Sequence, residues 1–284
     1  MLSRCTLAGL RKQDGILGTF AYWEKIMSKK LGVVGAAVCA LTITAVAVGS
    51  AHAQEVKEKP AMYSYVGNWA IPRAQWGEME KNTAADAKVL DKAVAAGTII
   101  GYGNDVNLVH SADGTTHDDW WSAMSLAGVI NVLEQFYQTG SSTTPVLSSA
   151  TKHFDNIYMS HYYNWHPGTY KNVYTHVSTY KLKPDAPDDA VEVLSKAVLV
   201  PFLEKLLADG TIHEYEIDTE AVHTDDPNIF EVVYIAANAD GLDKANAALR
   251  ESIKTNPLIN PVFGAQVDFT VHRDYISRSN VTYK

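Results

Sequence analysis

A chain of 284 residues that is 46% hydrophobic and 20% charged, with 18 glycines and 10 prolines, has a globular composition, which excludes collagen-like, coiled-coil and disordered chains. Its formal net charge is −8. A surface of that sign repels phosphate backbones and anionic headgroups, so no nucleic acid partner is expected.

Met27 to Lys30 is a short basic stretch, Leu31 to Val48 an apolar run, and Ala51-His52-Ala53 a small-x-small pattern. This order predicts a signal peptide over 27–53, cut before Gln54, and a periplasmic or secreted destination. An uncleaved anchor is the other reading of the apolar run. Residues 1–26 precede the better start at Met27 and read as an over-extended start. Cys5 and Cys39 are the two cysteines and both lie ahead of the cut, so the exported chain has no disulfide, thiolate nucleophile or Cys-ligated metal. The leader also removes six Lys/Arg and two Asp/Glu, leaving 18 against 30 and a net charge of −12. No membrane contact is expected after cleavage.

After a linker over 54–62, Tyr63, Tyr65, Trp69 and Ile71 alternate at period two, as in a half-buried strand. Trp76, Met79, Thr83, Ala87, Leu90 and Val94 then follow at helical spacing. Gly97 stands where a helix C-terminus takes a left-handed residue. Two strands are expected at 98–110 and 117–125, a second helix over 127–138 and a last strand over 153–163. The segment 164–173, with Pro167-Gly168, reads as a linker.

The same order then recurs. Gly97-Thr98-Ile99 returns as Gly210-Thr211-Ile212, Tyr102 as Tyr215, Asp105 as Asp218, Val109-His110 as Val222-His223, Asp113 as Asp226, Ala123 as Ala236 and Gly128 as Gly241, all 113 residues on. Unrelated sequence would give far fewer identities in that window. The second copy is read as a strand at 174–182, a helix at 191–206 with a kink near Val200 forced by Pro201, strands at 211–223 and 229–237, a helix at 240–255 and a strand at 266–275. Two copies of this length are a duplicated domain and not a solenoid. The units are therefore 63–163 and 174–275, with 276–284 as a C-terminal tail.

The fold class is α+β: two tandem ferredoxin-like β-α-β-β-α-β units, each an antiparallel sheet with both helices on one face, whose open faces pack into an α/β barrel. In element order and repeat the chain resembles the dimeric α/β-barrel superfamily. That resemblance implies a fold shared by cofactor-free monooxygenases of antibiotic biosynthesis, haem-degrading and chlorite-degrading proteins, peroxidases and isomerases, and it implies no single activity. The peroxidases' Gly-x-x-Asp-Gly pattern is absent, since Ser111-Ala112-Asp113-Gly114 lacks the leading glycine. Asn68 and Trp69 resemble part of the Asn, Trp and His set of the monooxygenases, without carrying a catalytic role over.

Strand parity sorts the remaining side chains. Glu214, Glu216, Asp218 and Glu220 share one face of their strand; on the last strand Gln266, Asp268, Thr270, His272 and Asp274 are expected opposite Val267, Phe269 and Val271. His153, Asp155, Met159 and His161 fall on the corresponding face of the first copy. Carboxylates and imidazoles gathered there would shift one another's pKa and offer general-base chemistry; a solvated sheet face is the alternative. No metal-ligand spacing is present. His161-Tyr162-Tyr163-Asn164-Trp165-His166 is the densest group of functional side chains, present in one copy only. It suits a planar apolar ligand or a haem, or else packs a crossover onto the barrel end. Of Trp120 and Trp121, one ring is expected in the sheet–helix core and the other in the lumen.

The ligand-binding candidates are thus His161, Tyr163, Trp165, His166, His153, Asp155, His272, Asp274 and Trp69. The expected function is binding of a small apolar or aromatic molecule. The alternatives are a cofactor-free monooxygenase or haem-handling enzyme, and a structural or interaction protein with a packed barrel. No cofactor is required, haem is the one that the residues leave open, and the oligomeric state is not legible.

Overall fold

The computed structural model describes residues 56–110, 114–224 and 227–284. Residues 1–53, over which a leader is expected, and Asp113 and Asp226 lie outside the described residues. Eight strands, β1 Met62–Trp69, β2 Gly101–Asn107, β3 His117–Ala123, β4 His153–Trp165, β5 Gly168–Leu182, β6 Ile212–Val222, β7 Ile229–Ala236 and β8 Val267–Tyr283, form a closed antiparallel barrel. Their order around it is β1-β3-β2-β8-β5-β7-β6-β4. Closure rests on two joints, β2 with β8 and β4 with β6, which leave no free sheet edge.

The helices lie outside the barrel. α1 Trp76–Ala96 and α2 Leu126–Thr139 cover the strands of the first half. Leu90, Val129, Val132 and Phe136 pack there on Tyr65, Tyr102 and Trp121. In the second half α3 Ala190–Leu194, α4 Val200–Ala208, α5 Ala239–Thr255 and α6 Ile259–Gln266 follow. Leu194, Leu203, Leu206 and Leu207 cover Tyr215, Ile217 and Phe230. As expected from Pro201, the helix is interrupted: Ser195–Leu199 is a π-turn between α3 and α4, because Pro201 has no N–H to continue the α-helical ladder. Gly97 and Gly210 both adopt φ +74°.

Residues 113 apart do the same local work. The Tyr102 hydroxyl donates to Asp91 at 2.8 Å and the Tyr215 hydroxyl to Glu204 at 2.6 Å. Ser125 caps α2 by accepting from the Gly128 N–H, and Asn238 caps α5 by accepting from the Gly241 N–H. A Cβ at Gly128 would lie 2.7 Å from the Thr98 carbonyl oxygen, and one at Gly241 2.9 Å from that of Thr211. The repeated glycines thus let each helix start against the backbone of the preceding strand entry.

Two boundaries differ from the sequence reading. Residues 164–173 are not a linker but the ends of β4 and β5, turned at His166-Pro167. The segment 276–284 is not a tail: β8 runs to Tyr283 and pairs with β2 from Asn107↔Ser277 to Gly101↔Tyr283. Its inward residues Ser277, Ser279, Val281 and Tyr283 are buried, yet two are serines, so no apolar alternation announces the strand.

Gly128→Ala and Gly241→Ala should each destabilise the fold by about 1–3 kcal/mol, since backbone must move to admit the methyl. Urea unfolding measures this; an unchanged midpoint for either would contradict the close approach.

Candidate functional site

Barrel closure turns one face of every strand inward, and the lumen holds a cavity of about 600 Å³. One end is plugged by Trp120, Val173, Val281 and Tyr283, with Trp165 and Tyr170 packed on them. Above this plug the lining is acidic. Asp105 and Asp118 face each other across the β2–β3 ladder, and Asp218 and Glu231 across the β6–β7 ladder. Glu214 and Glu216 line the wall deeper along β6. The cations bordering the cavity, Lys152, Lys181 and Arg273, lie at its mouth with Phe154. The wall of this cavity carries carboxylates beside apolar side chains such as Val66, Val177, Val233 and Ile235. Trp120 enters this lumen while Trp121 joins the sheet–helix core.

Burial dominates the chemistry of these acids, because a carboxylate removed from water loses its hydration. It pushes Asp105 up to about 8, with Asp118 and Asp119 adding to the effect against a Ser279 hydrogen bond. Asp118 rises to about 7 and Glu216 to about 7, again chiefly by burial. Glu214 and Asp218 are raised well above the usual range by burial and by each other's neighbourhood of negative charge. Both Glu214 oxygens and one oxygen each of Asp105 and Asp218 are buried without a hydrogen-bond partner among the described residues.

On the outer face of β1 and β4, at the same end of the barrel, lies a second group, on the side where Tyr65 and Trp69 pack towards the helices. Trp69 and His153 are cross-strand neighbours whose rings stack 3.5 Å apart at 12°. The His153 Nδ1–H donates to the Asn68 carbonyl at 3.0 Å, and Nε2 lies 3.3 Å from Asp155. Asp155 accepts from the Tyr65 hydroxyl at 2.5 Å. Burial opposes a charge on His153, but Asp155 and the Asn68 carbonyl outweigh it and hold the imidazole above its ordinary value. Burial likewise works against the Asp155 charge, and the His153 and Tyr65 hydrogen bonds overcome it, so this carboxyl lies below its ordinary value. Both side chains remain about one-third exposed.

The second half carries a related set in a different state. His272 lies 3.6 Å and His176 3.9 Å from Asp274, which also accepts from Ser178 at 2.7 Å, and the Tyr180 ring lies 4.4 Å from His272. Here burial wins and both imidazoles are held below their ordinary value. The expected parity of β8 is corrected. Its pairing with β5 is irregular between Thr179/Arg273 and Lys181/Asp268, so Val271, Arg273, Tyr275 and Ser277 line the lumen. His272 and Asp274 sit on the other face, because a bulge exchanges the faces of all later residues.

The structure thus brings Trp69, His153 and Asp155 together on the outer face of β1 and β4, not on the lumen face expected for His153 and Asp155, because Phe154, Asn156 and Tyr158 take the lumen side opposite Asn68, Val66 and Ser64; it brings His272 together with Asp274 in the other half. It does not bring His161, Tyr163, Trp165 and His166 to either group. The His161 Nδ1–H donates to the Lys59 carbonyl and the Tyr163 hydroxyl to the Pro60 carbonyl. Trp165 donates to the Lys284 carbonyl and stacks between Tyr163 and Tyr283, and the His166 N–H closes the hairpin onto His213. These residues seal the far end and tie down both ends of the described chain. Sequence reasoning missed Asp105 and Asp118 as lumen groups; their place opposite Asp218 and Glu231 in the 113-residue repeat was the available signal.

A haem does not fit this lumen. Among the described lining residues the one histidine, His153, turns its ring to Trp69 on the outer face and not into the lumen, and the buried acids would oppose haem carboxylates.

No protein-family model and no curated protein matches the sequence. Among solved structures the chain is similar to a putative monooxygenase from Lactobacillus acidophilus, with 14% identity, TM-score 0.54, and 78% of this chain and 96% of that one covered. It is also similar to a putative monooxygenase from Fusobacterium nucleatum, with 8% identity, TM-score 0.56, and coverage of 80% and 95%. An anthrone oxidase-like protein matches with 11% identity and TM-score 0.48 over 80% and 93%. The likeness to the two putative monooxygenases is one of fold.

Because the folded acids hold protons that the unfolded chain releases near pH 4, ionising them costs stability as pH rises towards 8. His117, held near 4 by burial, acts in the opposite sense, as do His176 and His272, but only below about pH 6.5, where unfolded histidine still binds protons. The melting temperature should therefore fall from pH 6.5 to 8.5. Glu216→Gln should stabilise the protein at pH 8.5 by about 1–3 kcal/mol and flatten the slope; thermal melts showing a flat or rising wild-type curve would contradict the assignment.

Proposed function

We propose that this chain is an exported protein with two tandem ferredoxin-like units in one barrel, and that it oxygenates a small phenolic molecule at the His153 end without a cofactor. The observation that carries this reading is the Trp69–His153–Asp155–Tyr65 chain on the outer face of β1 and β4, beside the open end of the barrel. The repeat and the matched tyrosine–carboxylate and capping contacts support the duplication. The fold shared with two putative monooxygenases supports the reaction class by analogy, and a cavity of this size argues against a merely packed barrel.

The chemistry asks for a group that takes a proton near neutrality beside an aromatic surface. With Nδ1–H fixed on the Asn68 carbonyl, neutral His153 presents Nε2 as the base, and Asp155 stabilises the imidazolium that forms. Tyr65 holds Asp155 in place, while the Trp69 face orients both ring and substrate. The phenolate then gives electrons to dioxygen; one oxygen enters the ring and the other leaves as water, so a phenol and O₂ yield a quinone and water. The substrate supplies all four electrons.

Oxygen uptake with hydroquinone-type and phenolic substrates tests this. His153→Ala should lower the rate about 10²-fold or more, Asp155→Asn should shift the pH profile to lower activity near neutrality, and Tyr65→Phe should act more weakly. Unchanged uptake in His153→Ala would sink the reading. Intact mass beginning at Gln54 after expression from Met27 is the result expected for export; a retained leader would contradict it.

A further inference from the structure

We propose that the barrel lumen binds a linear aliphatic diamine or polyamine in its ammonium form. β2 and β6 stand four places apart in the eight-strand order, as do β3 and β7, so Asp105 faces Asp218 across the barrel and Asp118 faces Glu231. These four carboxyls form one tier. The second tier is one-sided. Glu214 and Glu216 continue down β6, while the repeat positions on β2 are Gly101 and Gly103. A Cβ there would meet the Tyr283 ring at 2.4 Å and the Trp120 ring at 2.5 Å, so these glycines admit two aromatic rings to the floor.

Each tier suits an ammonium group. The upper one offers carboxylates from opposite walls, and the lower one offers carboxylates beside aromatic faces, the pairing that favours a desolvated cation. Alternate residues on a strand are about 6.6–6.8 Å apart. Two nitrogens joined by four methylenes span five bonds, roughly 6 Å when extended, so one amine can reach each tier.

The independent sign of a ligand is the buried oxygens themselves. Glu214 is 2% exposed, and neither of its oxygens has a hydrogen-bond partner among the described residues; one oxygen of Asp105 and one of Asp218 share that condition. A buried polar atom without a partner costs free energy, and ammonium N–H donors remove that cost. Among the described residues no three acidic or imidazole side chains converge as a metal-ligand set, which favours an elongated organic cation over a metal ion.

The site is separate from the rim chemistry and does not rest on it. The test is isothermal titration of the purified protein at pH 7.5 with 1,4-diaminobutane, butylamine and magnesium chloride, in two buffers of different ionisation enthalpy. The expected result is diamine binding at least ten-fold tighter than butylamine, accompanied by proton release, and weakened at least ten-fold by Asp218→Asn. If that variant does not fold, Glu216→Gln is read in the same way. No heat with diamine, equal affinity for the two amines, or tighter magnesium binding would each overturn the proposal. Oxygen uptake measured alongside separates its failure from failure of the oxygenase reading.

Discussion

Everything in this molecule depends on the two joints that close the barrel, β2 with β8 and β4 with β6. In an open two-layer fold the uncovered sheet face would meet water, and a row such as Glu214, Glu216 and Asp218 would be ordinary surface. Closure takes that face out of solvent and converts hydrated carboxylates into buried ones. The long strands β5 and β8 are what make closure reach from end to end; the final residues of β8 close the seam against β2, and Tyr283 also pairs with Gly168.

Two electrostatic regimes result from one scaffold. Deep in the lumen, burial outweighs all local hydrogen bonds and keeps acids protonated up to about 7 or 8. At the rim, where His153 and Asp155 retain partial solvent access, the pair interaction prevails and favours the charged forms of both groups. The counterpart in the second half has the same residue types but deeper imidazoles, and burial keeps them neutral. Similar residues on two halves of one barrel thus acquire different chemistry from depth alone.

The outer layer was legible in the sequence because its physics is apolar and periodic: α1, α2 and the α4–β6 joint follow from Leu90, Leu203 and their neighbours, and the kink from Pro201. The split of Trp120 and Trp121 between lumen and core followed from strand parity. What escaped was governed by the polar interior. Ser277 and Ser279 face inward but do not look like core, so the last strand read as a tail. The bulge before Arg273 reversed the faces of His272 and Asp274, which no alternation rule can foresee. The aromatic group around His161 clusters in sequence, but its side chains donate to the backbone carbonyls of Lys59, Pro60 and Lys284, which sequence spacing does not reveal.

Closure buries a set of carboxyl groups and keeps them protonated near neutral pH. The most direct measurement is a ¹³C NMR titration of the Asp and Glu side-chain carboxyl carbons. A distinct set is expected, including Asp105 near 8 and Asp118 and Glu216 near 7, whose signals shift only above pH 6. If every carboxyl carbon completed its titration below pH 5, the lumen would be hydrated like a surface and closure would not bury these acids.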